Sequence, residues 1–180
     1  MLGVGDKLPA FDVKIQQGTE VPAEDFDRIT DESYAGKWKV IFFWPKDFTF
    51  VCPTEIIAFG ALEDQFTQRD AVIIGGSTDT DFVHLAWRQS NEDLAAVKYP
   101  WIADSSKKLS AALGILEPNE GVAYRATFIV DPDNVIRYAS ANDLDVGRNP
   151  QEVLRVLDAL QTGSLCPASW KPGEKTLSLA

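Results

Sequence analysis

The chain has 180 residues, of which 45% are apolar and 24% are charged, and its formal net charge is -10. The composition is ordinary for a globular protein, and the length suits one domain with a sizeable core. The acidity argues against nucleic acid or an anionic membrane as the main partner, because both would repel the chain.

The N-terminal stretch MLGVGDKLPAFDV has no basic segment followed by a long apolar one, so no signal peptide is expected. The longest apolar runs are about six residues, far short of a membrane span. We therefore expect a cytoplasmic protein. In such a reducing compartment a disulfide is more often transient and catalytic than structural, and this chain has only Cys52 and Cys166.

Strands and helices alternate through the first half of the sequence. The apolar run KVIFFW at 39–44 predicts a buried strand, and the apolar spacing in 53–66 predicts an amphipathic helix. The run AVIIGGS at 71–77 predicts a second strand. The segment 78–94 opens with capping residues and then continues as a helix.

The second half contains a short helix, a hairpin and a long helix. A helix is predicted in 105–115, and the runs at 122–130 and 135–141 are joined by the turn sequence DPDN, which indicates a hairpin. A last helix follows, with Asn149 as its cap, Pro150 in its first turn and Gly163 at its end. This order predicts an α/β layered domain over residues 1–162 and an extended tail over 163–180.

The stretch WPKDFTFVCPTE, residues 44–55, places Cys52 between the first strand and the first helix. We expect the helix to start at Cys52, with Pro53 at its first position, so that free backbone N–H groups and the helix dipole stabilise a thiolate. An ordinary thiol is a few per cent ionised at pH 7, so full ionisation raises the reactive fraction by roughly 30-fold at most. A fast thiol enzyme must also stabilise its transition state.

Three neighbours are candidates for that task. The hydroxyl of Thr49 can donate to the sulfur or to a bound oxygen, Pro45 can shield a pocket from water, and Arg125 can supply a cation if its strand lies beside 39–44. Two of them have a plainer alternative: Thr49 as a local turn former, and Arg125 as the partner of a surface carboxylate. Glu55 either caps the helix or binds the arginine, and His84 is expected to be structural.

The pattern Pro45-x-x-x-Thr49-x-x-Cys52 resembles the active-site motif of typical 2-Cys peroxiredoxins, in particular alkyl hydroperoxide reductases of the AhpC type. The likeness extends to the segments TFIVDPDNVI and LCPASWKPGE. It implies a thioredoxin-like fold with an N-terminal extension. It further implies that Cys52 attacks the peroxide, that Thr49 and Arg125 bind the reacting atoms, and that Pro45 covers the site.

The same resemblance implies the rest of the catalytic cycle. Cys166 matches the resolving cysteine, which forms an intersubunit disulfide with the oxidised Cys52. Such proteins use no metal or organic cofactor and form homodimers that assemble to decamers. Their disulfide is reduced by an external partner, which the sequence leaves open between an AhpD-type protein, an AhpF-type protein and thioredoxin.

Two other functions compete with the thiol peroxidase. A thioredoxin-like disulfide reductase is disfavoured because the chain has no CxxC motif. A holdase chaperone built on a ring-shaped oligomer would retain its protective effect without Cys52.

Overall fold

The computed structural model describes residues 1–178. One mixed sheet of seven strands runs through the molecule in the order β2-β1-β5-β4-β3-β6-β7. The strands are β1 (Asp12–Gln16), β2 (Arg28–Thr30), β3 (Trp38–Phe43), β4 (Ala71–Ser77), β5 (Trp101–Ala103), β6 (Arg125–Val130) and β7 (Ile136–Asn142). The helices are α1 (Val51–Gly60), α2 (Glu63–Thr67), α3 (Asp81–Ser90), α4 (Glu92–Ala95), α5 (Lys108–Ala112) and α6 (Pro150–Thr162).

The centre of the sheet is parallel and its flanks are antiparallel. Strand β4 pairs in parallel with both β3 and β5, whereas β6 runs antiparallel to β3 and to β7. The hairpin predicted from DPDN is therefore present. Because β3 and β6 run in opposite directions, the end of β3 lies beside the start of β6, with Phe42 opposite Thr127.

The alternation of β3 divides the core into two layers, as expected for a strand that is buried on both faces. Val40 and Phe42 face a cluster that includes residues of α1, α3 and α6, and Ile41 and Phe43 face a second cluster that includes residues of α5 and β1. The α/β layering predicted from the order of elements is confirmed.

Three short strands were not predicted from the sequence. β2 and β5 each have three residues and β1 has five, so none is long enough to show a clear alternating pattern. Pairing stabilises them, since β2 pairs with β1, β1 with β5, and β5 with the longer strand β4.

Two predicted helices are each interrupted. The helix expected over 53–66 begins earlier, at Val51, and a turn at 61–62 separates α1 from α2. Asn91 breaks the helix expected over 78–94, because its side chain accepts the N–H groups of Asp93 and Leu94 and so caps the new helix α4. The cap, first turn and end of α6 are as predicted, with Gly163 in the left-handed region.

The segment after α6 contains no helix or strand up to residue 178, apart from a bridge between Leu165 and Leu177. It folds back on α6, where the carbonyl oxygen of Trp170 accepts from Arg155 Nη1 at 2.9 Å. In residues 1–178, none of the helices has the length and apolar character needed to cross a membrane.

Candidate active site

Cys52 lies in the first turn of α1, at the end of the loop that follows β3. Its side chain is buried, with 1% of its surface exposed. The helix starts one residue earlier than predicted, at Val51, so Pro53 is its third residue. The third residue is still among those whose N–H groups have no partner within the helix, so proline costs no hydrogen bond there.

Arg125 contacts the sulfur directly. Its Nη1 atom donates to Cys52 Sγ at 3.3 Å and to Glu55 Oε2 at 2.6 Å, and its Nε atom donates to the carbonyl oxygen of Leu144 at 2.6 Å. The contact follows from the sheet, because Arg125 opens β6 and the start of β6 lies beside the end of β3. The guanidinium is thus held by partners on two sides and does not pair with a surface carboxylate.

Glu55 binds a second arginine, which the sequence analysis missed. Arg148 donates through Nε to Glu55 Oε1 at 2.7 Å and through Nη2 to Glu55 Oε2 at 2.9 Å. Its Nη1 also donates to the carbonyl oxygen of Ala126 at 2.7 Å. Of the two roles considered for Glu55, the structure shows arginine binding. The two residues are 93 positions apart, and no local pattern connects them.

Thr49 and Pro45 line the same cavity as the cysteine. This cavity, here called the Cys52 pocket, has a volume of about 280 Å³ and is lined by Pro45, Lys46, Thr49, Phe50, Val51, Cys52, Glu120, Val122, Arg125, Leu144 and Asp145. The hydroxyl of Thr49 donates to the carbonyl oxygen of Lys46 at 2.9 Å. Thr49 therefore shapes the turn and also presents its oxygen lone pairs, which can accept a hydrogen bond from a bound molecule.

Buried polar contacts fix the loop between β3 and α1. Asp47 Oδ1 accepts from Trp44 Nε1 at 2.7 Å, and Asp47 Oδ2 lies 2.6 Å from His84 Nδ1. The other ring nitrogen of His84 lies 3.0 Å from the carbonyl oxygen of Ile102. His84 thus joins the loop to β5, as expected for a structural residue, and it does not line the Cys52 pocket.

Cys166 lies apart from this group. Its sulfur is 3.4 Å from Thr162 Oγ1 and 3.8 Å from the carbonyl oxygen of Ala159, both in α6. It lines a different cavity, of about 680 Å³, between α6 and the tail. The structure therefore brings Cys52, Arg125, Thr49 and Pro45 together and leaves Cys166 outside the Cys52 pocket.

A buried thiol that contacts a fixed guanidinium and faces a small cavity is suited to nucleophilic attack on a small molecule. Placed at the strand-to-helix junction of a thioredoxin-like sheet, it defines a peroxiredoxin, an enzyme that reduces peroxides with a thiol. Residues 4–139 match the model of the AhpC/TSA family, and the chain belongs to that family.

Individual relatives agree with this assignment. Alkyl hydroperoxide reductase C of Mycolicibacterium smegmatis is 48% identical, over 99% of this chain and 94% of the relative. The structure of Mycobacterium bovis AhpC is similar with a TM-score of 0.86 at 48% identity, covering 95% of this chain and 99% of that one. The reduced 2-Cys peroxiredoxin of Plasmodium vivax is similar with a TM-score of 0.89 at 30% identity, covering 98% and 93%.

Proposed function

We propose that this peroxiredoxin reduces hydrogen peroxide and small organic hydroperoxides through Cys52. The observation that carries the proposal is the 3.3 Å contact between Arg125 Nη1 and the Cys52 sulfur inside a pocket of about 280 Å³. A cation held at that distance stabilises a thiolate. Its N–H groups can also donate hydrogen bonds to the peroxide oxygens, which gain negative charge during the attack.

In the proposed first step, the Cys52 thiolate attacks one peroxide oxygen. An S–O bond forms and the O–O bond breaks, so that the sulfur is oxidised to a sulfenic acid and the peroxide is reduced. The leaving oxygen takes up a proton and departs as water or an alcohol. Thr49 accepts a hydrogen bond from the peroxide and Pro45 keeps bulk water from the sulfur.

In the second step, the thiolate of Cys166 from a second subunit attacks the sulfenic sulfur. A disulfide forms and hydroxide leaves, taking up a proton to become water. The position of Cys166 outside the Cys52 pocket supports an intersubunit route. Cys52 is buried in the first turn of α1. The first turn of α1 and the tail that carries Cys166 must therefore both rearrange before the two sulfurs meet.

The cycle closes when an external dithiol reduces the disulfide. We propose an AhpD-type protein, an AhpF-type protein or thioredoxin as that partner, in a cytoplasmic setting, because both thiols are regained only where a reductant is present.

We further propose a homodimer that assembles to a decamer. Strand β7 forms one outer edge of the described sheet and can pair with a second copy. Three phenylalanines in or near the loop before α1 and the start of α3 are largely exposed and suit a further interface: Phe48 (58%), Phe50 (93%) and Phe82 (63%).

The test uses pre-reduced protein mixed with hydrogen peroxide in a stopped-flow instrument, without a reductase. We expect one fast turnover, with a rate constant far more than about 30-fold above that of a free thiol. The Cys52→Ser variant should lose this reaction. The Cys166→Ser variant should turn over once and retain the sulfenic acid. A mixture of Cys52→Ser and Cys166→Ser chains should form disulfide-linked dimers on non-reducing gels, and a failure to do so would contradict the intersubunit route.

A further inference from the structure

An ion pair spans the mouth of the Cys52 pocket. The Nζ atom of Lys46, in the loop before α1, donates to Glu120 Oε2, in the turn before β6. Both side chains are about half exposed, at 50% and 51%, and both line the pocket. The hydrogen bond to Glu120 raises the pKa of Lys46, so Lys46 stays charged at neutral pH.

Hydrogen bonds to Glu117 hold the turn that carries Glu120. Glu117 Oε2 accepts from the backbone N–H groups of Glu120 at 2.6 Å and Asn119 at 3.0 Å. The backbone of Glu117 also pairs with Val122 at 2.7 Å and accepts from Gly121 at 2.9 Å. The backbone of Glu120 is therefore held at the pocket mouth, and its side chain pairs there with Lys46.

The mouth carries more negative than positive charge. Asp145 also lines the pocket, its side chain is exposed, and among residues 1–178 it forms no salt bridge within 4.0 Å. Glu120 and Asp145 thus outnumber Lys46 by one charge. Behind the pocket lining, Arg148 and Glu55 join Arg125, and the two arginines exceed Glu55 by one positive charge, which a Cys52 thiolate would neutralise. A charged substrate therefore responds mainly to the groups at the mouth.

Apart from Thr49, the remaining lining is apolar. Phe50, Val51, Val122 and Leu144 surround the approach to the sulfur. Such side chains suit an alkyl group and offer no compensation for a buried carboxylate.

We propose that Lys46, Glu120 and Asp145 set the charge selectivity of the enzyme, so that uncharged alkyl hydroperoxides react in preference to hydroperoxides that carry a carboxylate. This inference rests on the proposed attack of Cys52 on the peroxide. The two acidic groups repel the anion, and Lys46 reduces that repulsion without cancelling it.

The experiment compares 3-hydroperoxy-3-methylbutanoate with its methyl ester. The second-order rate constant for oxidation of pre-reduced protein is measured with each, and the ratio of anion to ester is the readout. In the wild type this ratio should lie below that of free cysteine. Glu120→Gln and Asp145→Asn should each raise the ratio, and Lys46→Met should lower it. Each substitution should change the anion-to-ester ratio about threefold. This is the factor in the rate constant that corresponds to the Coulomb energy between the substrate anion and one unit charge at roughly 6 Å in a water-like dielectric.

A matched ion pair elsewhere provides the control. Lys37 and Asp70 form a surface salt bridge of 3.4 Å, and Lys37 directly precedes β3 whereas the pocket lies beyond its other end. Lys37→Met and Asp70→Asn change the net charge as the test variants do and should leave the ratio unchanged. Added salt should reduce the effects of the pocket variants, because the charges at the mouth are exposed to solvent.

Two failures are distinguishable. If the wild type shows no Cys52-dependent consumption of hydrogen peroxide, the proposed function is wrong, and the proposed charge selectivity is refuted as well. If peroxide and the ester react but the ratio does not move in the pocket variants, or moves equally in the Lys37 and Asp70 controls, the selectivity alone is overturned.

Discussion

One nitrogen of Arg125, Nη1, donates both to the sulfur of Cys52 at 3.3 Å and to the carboxylate of Glu55 at 2.6 Å. Glu55 is held in turn by Arg148 through both carboxylate oxygens. The guanidinium therefore cannot turn away from the sulfur without breaking a buried ion pair. The cation is in place before any peroxide arrives, which avoids the cost of reorganisation during the reaction.

Replacement of Arg125 by alanine should slow peroxide reduction by about 100-fold or more, the usual loss when one pre-arranged donor is removed from a transition state. The measurement is the second-order rate constant of the pre-reduced protein with hydrogen peroxide. Arg28→Ala provides the control, because Arg28 is 48% exposed and pairs with Asp12 at the surface. A loss below about threefold in Arg125→Ala would show that ionisation of Cys52 does not depend on this cation and that the attack does not use it.

Replacement of Glu55 by glutamine should destabilise the fold as well as the site. Arg125 and Arg148, each with 4% of the side chain exposed, would lose their shared carboxylate. Removal of one partner from a buried ionic group typically costs about 3–5 kcal/mol. Urea unfolding should show this loss, whereas Glu152→Gln, which removes a surface contact with Arg155, should leave the midpoint nearly unchanged. Equal midpoints for both variants would contradict the prediction.

Replacement of Arg88 by methionine should destabilise the segment that links α4 to β5. Burial lowers the pKa of Arg88 to about 10, so the guanidinium remains charged at neutral pH. It donates to the carbonyl oxygens of Val97 at 2.5 Å and Tyr99 at 2.9 Å and lies 3.6 Å from the centre of the Trp101 ring. Methionine fills part of the space but leaves these carbonyl oxygens without a donor, at a cost of about 2–4 kcal/mol in the free energy of unfolding.

The same unfolding measurement on Arg28→Met separates this effect from the loss of a charge, because Arg28 lies at the surface. If the two variants unfold at the same urea concentration, the buried carbonyl contacts of Arg88 contribute nothing to stability.

Replacement of Gly75 by alanine should disturb the packing between β4 and the aromatic core. A Cβ atom at Gly75 would lie 2.7 Å from Trp44 Cζ3 and 3.0 Å from Tyr99 Cε2, so one ring must shift. Overpacking of this kind typically costs about 1–3 kcal/mol. Gly3→Ala is the matched control, since a Cβ there meets no atom within 4 Å. Thermal unfolding of both variants tests the prediction, which a Gly75→Ala protein as stable as wild type would refute.

The local elements of the fold were largely predictable. Strand β4 has the predicted bounds, 71–77, and α6 has the predicted cap, first turn and end. Both carry their signals within a few consecutive residues: an apolar run in β4, and Asn149, Pro150 and Gly163 around α6. Strands β1 and β5 carry no such signal, because three to five residues cannot define a period and their stability comes from partners distant in sequence.

The active site also combines features that the local sequence predicts with contacts that depend on distant parts of the chain. The sequence alone predicts that Cys52 follows a buried strand and opens a helix. Its neighbours Pro45 and Thr49 share its pocket because they lie on one short loop. The folded chain is needed to show that Arg125 contacts the sulfur, that Arg148 binds Glu55, and that Lys46 pairs with Glu120, 74 residues away. Local periodicity and capping record the conformation of a segment, whereas these contacts depend on the order and direction of strands in the sheet, which no single segment encodes.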